Sequence, residues 1–411
     1  RVPGDKSISH RALIFNAIAK GESRITGLLN SADVKSTENC LKQLGVCITD
    51  SKDGKKVVGE GIEALQQPDQ PLDAGNSGTT IRLLSGVLAS LPFKTEITGD
   101  ESLKQRPMRR IIEPLEQMYA TIESDNYRAP MKIRGGNLIA IDYSTRVSSA
   151  QVKSCILLAG LSAKGMTRIT EPYRSRDHSE RMLSEMGVTI RQSQTIVAVK
   201  GPTVPVACDI DVPGDISAAA FFITAAALLP DSELFLENVG INPARIGVLD
   251  ILSAMGAQFQ YRNQYEKNSE PRADIRVISS KLNSTNISGP MIPSVIDEIP
   301  ILAVAATQAQ GTTTIRDAGE LRVKESDRIT AIVNNLKRMG ADIREKKDGM
   351  VIKGPVRLKG AEIDSYNDHR IAMAFSIAGL FAEGETVINN IDCVAVSFPE
   401  FFNILAQITH D

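Results

Sequence analysis

Leu336-Lys337-Arg338-Met339-Gly340 ends an amphipathic run in a glycine, and three earlier stretches end the same way. They are Leu41-Lys42-Gln43-Leu44-Gly45, Met182-Leu183-Ser184-Glu185-Met186-Gly187 and Ile251-Leu252-Ser253-Ala254-Met255-Gly256. Each glycine reads as the residue just past a helix, where left-handed backbone suits it, and the alternating run that follows starts a strand. Working outward from these phrases, one pattern recurs six times. A polar cluster opens a helix rich in Ala, Leu and Ile, and a glycine-containing turn follows. A short alternating strand, a polar loop and a second amphipathic helix complete the unit. The strands are expected at 22–28, 94–99, 166–170, 233–236, 312–316 and 385–389, a period of roughly seventy residues. Three units stand on either side of the turn Val212-Pro213-Gly214. The expectation is an α/β protein of two lobes, residues 5–212 and 213–411, additionally joined by residues 1–4.

The bulk composition excludes several functions. Lys plus Arg (47) nearly cancels Asp plus Glu (49), so no global field draws the chain to nucleic acid or membrane, and any anion site must be local. With no Trp and 4% aromatic residues, a stacking surface for single-stranded nucleic acid is not expected. The five cysteines, Cys40, Cys47, Cys155, Cys208 and Cys393, form no C-x-x-C pair. They read as buried free thiols in a reducing compartment rather than a zinc site. The longest apolar stretch, 217–229, is too short for a bilayer. Neither G-x-x-x-x-G-K-[ST] nor G-x-G-x-x-G occurs, which argues against P-loop or Rossmann cofactor sites.

Function shows in the clusters that open the six first helices. They read Asp5-Lys6-Ser7-Ile8-Ser9-His10-Arg11, Gly75-Asn76-Ser77-Gly78-Thr79-Thr80, Ser148-Ser149-Ala150-Gln151, Gly214-Asp215-Ile216-Ser217, Ile296-Asp297-Glu298-Ile299 and Asn367-Asp368-His369-Arg370. Ser, Asn and Asp at such points are ordinary caps, and Asp215 and Asp368 are read that way. Capping does not need Lys6, Arg11, Gln151 or Arg370. A helix N-terminus already offers free N–H groups and partial positive charge, so added cations there suit phosphate or carboxylate. The loop Gln105-Arg106-Pro107-Met108-Arg109-Arg110 is basic, and Tyr173-Arg174-Ser175-Arg176-Asp177-His178 is mixed. In Leu321-Arg322-Val323-Lys324-Glu325-Ser326-Asp327-Arg328 a helix can place Lys324 and Arg328 on one face, leaving Glu325 and Asp327 to pair or titrate. His178 and His369 read as hydrogen-bonded structural residues. The whole points to an enzyme binding two small phosphate-bearing anions in a cleft between similar halves.

At these clusters the chain resembles the 5-enolpyruvylshikimate-3-phosphate synthase family. The phrases are Pro3-Gly4-Asp5-Lys6-Ser7-Ile8-Ser9-His10-Arg11, Asp73-Ala74-Gly75-Asn76-Ser77-Gly78-Thr79-Thr80-Ile81-Arg82-Leu83, Arg106-Pro107-Met108, Ser148-Ser149-Ala150-Gln151-Val152-Lys153-Ser154, Arg322-Val323-Lys324-Glu325-Ser326-Asp327-Arg328 and Asp368-His369-Arg370-Ile371-Ala372-Met373-Ala374. The resemblance implies an inside-out α/β barrel of two lobes, each with three βαβαββ units. It implies transfer of enolpyruvyl from phosphoenolpyruvate to the 5-hydroxyl of shikimate 3-phosphate, with release of phosphate and with no metal or organic cofactor. A cytoplasmic monomer without nucleic-acid or membrane partners is expected. By the same resemblance Lys6, Ser7, Arg11, Ser149, Gln151 and Arg176 hold shikimate 3-phosphate, with Asp297 and Lys324 at its ring hydroxyls. Arg106, Arg328, Arg370 and the Gly78 N–H hold phosphoenolpyruvate, shared with Lys6 and Gln151. Asp297, Glu325 and Lys6 are then the candidates for proton transfer. Val396 stands where many members place a lysine, and Ala150 replaces a second serine, as in the branch called class II. The sister transferase acting on a UDP-amino sugar is expected to carry a cysteine near Arg106, and residues 100–110 contain none. An RNA-end-processing module of similar repeats is the rival of another class.

Overall fold

The computed structural model describes residues 1–410. It divides into two compact units. One comprises Gly4–Val212 with Lys267–Glu270, and the other Arg1–Pro3, Pro213–Glu266 and the chain from Pro271 onward. Each unit has its own apolar core.

The first unit carries helices α1 (Lys6–Ile18), α2 (Ala32–Gln43), α3 (Gly78–Leu88), α4 (Glu101–Gln105), α5 (Arg109–Gln117), α6 (Ala150–Gly160) and α7 (His178–Glu185). The second carries α8 (Ile216–Leu228), α9 (Gly247–Ala254), α10 (Ile292–Val295), α11 (Ile299–Gln308), α12 (Arg328–Arg338), α13 (His369–Gly379) and α14 (Phe401–His410). The first helices of the repeats, α1, α3 and α6 in one unit and α8, α11 and α13 in the other, are core helices. In α8 every residue from Ile216 to Ala227 is buried, as expected of a helix apolar on all sides. Among the described residues no single helix is long and apolar enough to cross a membrane. The second helices stop at the glycines read from sequence: Gly45, Gly187, Gly256 and Gly340 all have positive φ, between 81° and 103°, a conformation that carries no Cβ penalty only for glycine.

Among the described residues the strands form six separate sheets. One shows the rule: Leu72–Asp73 pairs in parallel with Thr95–Thr98, which pairs antiparallel with Met131–Arg134, which pairs antiparallel with Thr121–Ser124. The same order recurs in the third and fifth repeats. In the first repeat the parallel edge strand is Ile210–Asp211, so the tail of the unit completes the sheet its beginning started. The fourth repeat reduces that edge to the single bridge Gly214↔Val239. The sixth consists, among the described residues, of Glu362–Asp364 and Val387–Asn389 with α13 and α14, lacking the terminal hairpin.

All five cysteines are free. Burial holds for Cys40 and Cys155, while Cys208 and Cys393 are half-buried. Cys47 departs from the expectation: it begins the strand Cys47–Ser51 on the outward side of the alternation and is exposed.

Candidate active site

Each unit gathers chemistry at the heads of its core helices. In the first, Asp5 caps α1 by accepting from Ile8 N at 2.9 Å, and Ser77 caps α3 by accepting from Thr80 N at 3.1 Å. The caps fix where the first-turn side chains emerge. Lys6, in the first turn of α1, ion-pairs with Asp33 of α2. At the head of α3, a Cβ on Gly78 would stand 3.0 Å from Arg82 Nη1 and 3.2 Å from Arg106 Nη1. Two guanidinium groups therefore converge on this helix N-terminus, packed close against Gly78. Arg106 Nη2 donates to Asn76 Oδ1 at 2.7 Å. Arg82 Nη1 donates to Gln151 Oε1 at 2.6 Å, and Gln151 Nε2 donates to Thr79 Oγ1 at 3.0 Å. Gly78, Arg106 and Gln151, selected from sequence, thus come together. Arg82 belongs with them and was missed as a site residue, although its i+4 spacing from Gly78 places it over the same helix face.

The other residues of this unit cluster about α6 and α7. Ser149 caps α6, and its N–H donates to Glu171 Oε1 at 3.1 Å. Arg11 is buried and donates through every nitrogen: Nε to Ser179 Oγ at 2.7 Å, Nη2 to Ser154 Oγ at 2.8 Å and Nη1 to the Ser7 carbonyl at 3.0 Å. Burial pushes its pKa down to about 10, with Arg176 adding to the lowering, so it is charged at neutral pH. Arg11 therefore ties α1, α6 and α7 together as well as supplying charge.

Behind this cluster lies a buried triad absent from the sequence reading. Lys153 Nζ pairs with Glu180 at 2.7 Å and Glu171 at 3.0 Å, each side chain 1% exposed. Burial raises the Glu180 carboxyl pKa against the pull of Lys153. The triad anchors the 173–178 loop, since Glu171 Oε2 accepts from Ser175 Oγ at 2.9 Å. A lysine set among Val152, Ser154 and Cys155 was the available signal. His178 has the structural role expected, with Nδ1 2.7 Å from Glu270 Oε1 in a buried contact.

In the second unit one guanidinium organises the cluster. Arg328, the first residue of α12, is 1% exposed and reaches three carboxylates. Nε lies 2.7 Å from Asp368 Oδ2, Nη2 lies 2.7 Å from Glu325 Oε2, and Nη1 lies 3.3 Å from Asp297 Oδ1. Lys324 Nζ reaches the same Asp297 oxygen at 3.3 Å. Arg370 Nη1 donates to the Asp297 carbonyl at 3.0 Å and lies 3.6 Å from Glu298 Oε1. Asp297, Lys324, Glu325, Arg328 and Arg370 therefore form one connected group. The expected shared helix face for Lys324 and Arg328 is not the reason. Gly319–Val323 is a 3-10 turn and α12 starts at Arg328, so the two cations reach Asp297 from a loop and a helix head.

Asp215 and Asp368 do cap α8 and α13, accepting from Ser217 N at 2.8 Å and Arg370 N at 2.9 Å. Both also hold an arginine: Asp215 accepts from the buried Arg245 at 3.0 Å, and Asp368 from Arg328. Burial tends to raise the Asp368 carboxyl, but Arg328 overrides it and holds the pKa below the ordinary carboxylate value. Among the described residues no group of three or more His, Cys, Asp or Glu could hold a metal ion. Chemically, the two clusters offer fixed cations for phosphate and carboxylate oxygens, and carboxylates beside them for proton transfer.

A family model described as EPSP synthase (3-phosphoshikimate 1-carboxyvinyltransferase) matches residues 1–405. The chain is 51% identical over 410 residues to a 3-phosphoshikimate 1-carboxyvinyltransferase of Bacillus thuringiensis (strain Al Hakam), covering 99% of this chain and 96% of the relative. It is also 51% identical over 411 residues to the enzyme of that name from Brevibacillus brevis, covering 100% and 96%. Among solved structures, EPSP synthase from Acinetobacter baumannii aligns with a TM-score of 0.88 at 43% identity, covering 99% of this chain and 94% of that one. The enolpyruvyl transferase NikO from Streptomyces tendae aligns with a TM-score of 0.81 at 17% identity, covering 100% and 94%, and shows the shared fold alone. Neither the UDP-sugar transferase nor the RNA-processing reading is favoured by these relatives.

Proposed function

The chain belongs to the EPSP synthase family, and from that premise we infer that it transfers the enolpyruvyl group of phosphoenolpyruvate to the 5-hydroxyl of shikimate 3-phosphate in aromatic biosynthesis. The observation that carries the reading beyond family membership is the head of α3. There the Arg82 and Arg106 guanidinium nitrogens pack close against Gly78, and positive charge gathered at a helix N-terminus suits the phosphate of a small anion.

In this reading phosphoenolpyruvate is held by the Gly78 N–H, Arg106, Arg328, Arg370, Lys6 and Gln151. Shikimate 3-phosphate is held by Lys6, Ser7, Arg11, Ser149, Gln151 and Arg176, with Asp297 and Lys324 at the ring hydroxyls. Asp297 takes the proton of the 5-hydroxyl as its oxygen bonds to C2 of phosphoenolpyruvate, while C3 gains a proton through Glu325, aided by Lys6. The tetrahedral adduct then loses a proton from the new methyl group, and the C2–O bond to phosphate breaks. Expulsion of phosphate moves charge onto the leaving oxygen, and fixed cations beside it lower that barrier without reorganising. Arg11, whose three nitrogens are engaged within the protein, acts on substrate through its remaining N–H bonds and by fixing Ser7.

The test is phosphate release from the two substrates. Turnover should require both, and should vanish when a UDP-amino sugar replaces shikimate 3-phosphate. Release with the UDP-sugar, or none with the proposed pair, would overturn the assignment. We further propose a cytoplasmic monomer. Sedimentation at working concentration should give a single species near the chain mass of 44.5 kDa, and fractionation should recover the activity away from membranes.

A further inference from the structure

His10, on the buried side of α1, starts a chain of hydrogen bonds through three helices. Its Nδ1 lies 2.7 Å from Thr37 Oγ1 on α2, and Thr37 Oγ1 lies 2.6 Å from Thr80 Oγ1 on α3. Thr80 Oγ1 donates to Ser77 Oγ at 2.7 Å. Ser77 is the N-cap of α3, accepting from Thr80 N at 3.1 Å. All four side chains belong to residues with 0% exposure.

The polarity of the chain follows from counting protons, because each hydroxyl has one to give. Thr80 gives its proton to Ser77 at 2.7 Å, with the Asp33 carbonyl more distant at 3.5 Å; in either case the bond between the two threonines is donated by Thr37. The bond to Thr37 must then be donated by the imidazole, which requires the Nδ1–H tautomer. The other ring nitrogen fits: Nε2 is buried with no hydrogen-bond partner, so a proton placed there would be wasted. An apolar side chain would fill this space equally well but would orient nothing.

We propose that His10 is a positioning residue: acting through Thr37 and Thr80, it fixes the Ser77 cap and so the α3 N-terminus at Gly78, where phosphoenolpyruvate is received. The inference rests on the roles given above to Gly78 and Arg106. It assigns His10 no contact with substrate. It predicts that losing the Nδ1 donor lets the cap rotate and misplaces the Gly78 N–H relative to the Arg82 and Arg106 nitrogens.

The experiment compares His10→Leu, His10→Asn and Thr37→Val in the phosphate-release assay. Asn can place an N–H close to where Nδ1 stands, and Val keeps the shape of Thr without its hydroxyl. His10→Leu and Thr37→Val should each raise KM for phosphoenolpyruvate about tenfold, the scale of one lost buried hydrogen bond. The dissociation constant for shikimate 3-phosphate should move much less. His10→Asn should recover most of the loss. The double variant His10→Leu/Thr37→Val should be no worse than either single one, since both cut one chain. Should His10→Leu fail to fold, Thr37→Val alone carries the test. A Thr37→Val enzyme with unchanged KM, or a His10→Asn enzyme as impaired as His10→Leu, overturns the proposal. A wild-type enzyme without turnover overturns the activity itself, whereas wild-type turnover with unimpaired variants removes only the role of His10.

Discussion

Arg328 and Asp368 form an ion pair almost without water, Nε to Oδ2 at 2.7 Å, with side chains 1% and 0% exposed. The pair joins the first residue of α12 to the cap of α13, so it holds two helix heads and aims a guanidinium at once. Removing one partner of a buried pair costs up to about 3–5 kcal/mol, and Glu325 and Asp297, which remain beside Arg328, offset only part of it. Asp368→Asn should therefore lower the stability of the second unit by that order in urea unfolding. The carboxyl is held below its usual value of 3.8 although burial pushes the other way. Its stabilising contribution is accordingly present above that pH and is lost as pH falls through the folded value. An Asp368→Asn protein should lack this acid-labile component. A variant within 1 kcal/mol of wild type would mean that Glu325 and Asp297 suffice to neutralise Arg328.

Gly78→Ala should act on substrate affinity rather than on folding. The new methyl group would meet Arg82 Nη1 at 3.0 Å and Arg106 Nη1 at 3.2 Å, both ends of flexible side chains, so the fold can give way. What it cannot keep is the close approach of these two guanidinium groups to the helix head. KM for phosphoenolpyruvate should rise on the order of tenfold, about 1.4 kcal/mol, with the melting temperature nearly unchanged. Wild-type KM in this variant would move the phosphate site away from α3.

Asp297 is shared by Lys324 and Arg328, each 3.3 Å from its Oδ1. Asp297→Asn keeps the shape and removes the base. Turnover should fall on the order of 10²-fold or more, while shikimate 3-phosphate still binds, as expected for a general base. Calorimetry of binding beside single-turnover rates separates the two effects. Near-normal turnover would pass the base role to Glu325.

The repeats were legible because each one reuses the same local signals. The polar caps, the apolar helix and the closing glycine are readable one residue at a time, and Gly340 with φ of 82° is a position where chain conformation and residue type agree. The cations at the helix heads drew notice for a related reason: Lys6 and Arg370 do nothing for capping, and the structure sets them beside Asp33 and Glu298. Pairings across the fold were not legible. Nothing local in Lys153 names Glu171 and Glu180, and nothing in Asp368 beyond its capping role names Arg328 forty positions earlier. Such contacts depend on how repeats pack, and the sequence period says only that they do. Lys324 shows the converse error, where spacing suggested a shared helix face and the chain used a turn.

The last prediction concerns acid stability and the imidazole of His10. Burial, and then the charges of Lys6 and Arg11, push its pKa well below the ordinary 6.5. In the unfolded chain the same ring takes up a proton as pH falls below about 6.5. Over that window the unfolded state binds the proton and the folded state does not, so stability falls with falling pH. The slope approaches about 1.4 kcal/mol per pH unit. Urea midpoints measured between pH 7.5 and 5 should therefore drop less steeply in His10→Asn than in wild type, because the variant has no group to titrate there. Taking the difference between the two proteins cancels the other titrating residues, which both share. Parallel curves would mean that the folded protein accommodates a proton on the buried His10 Nε2, with Nδ1–H still donating to Thr37.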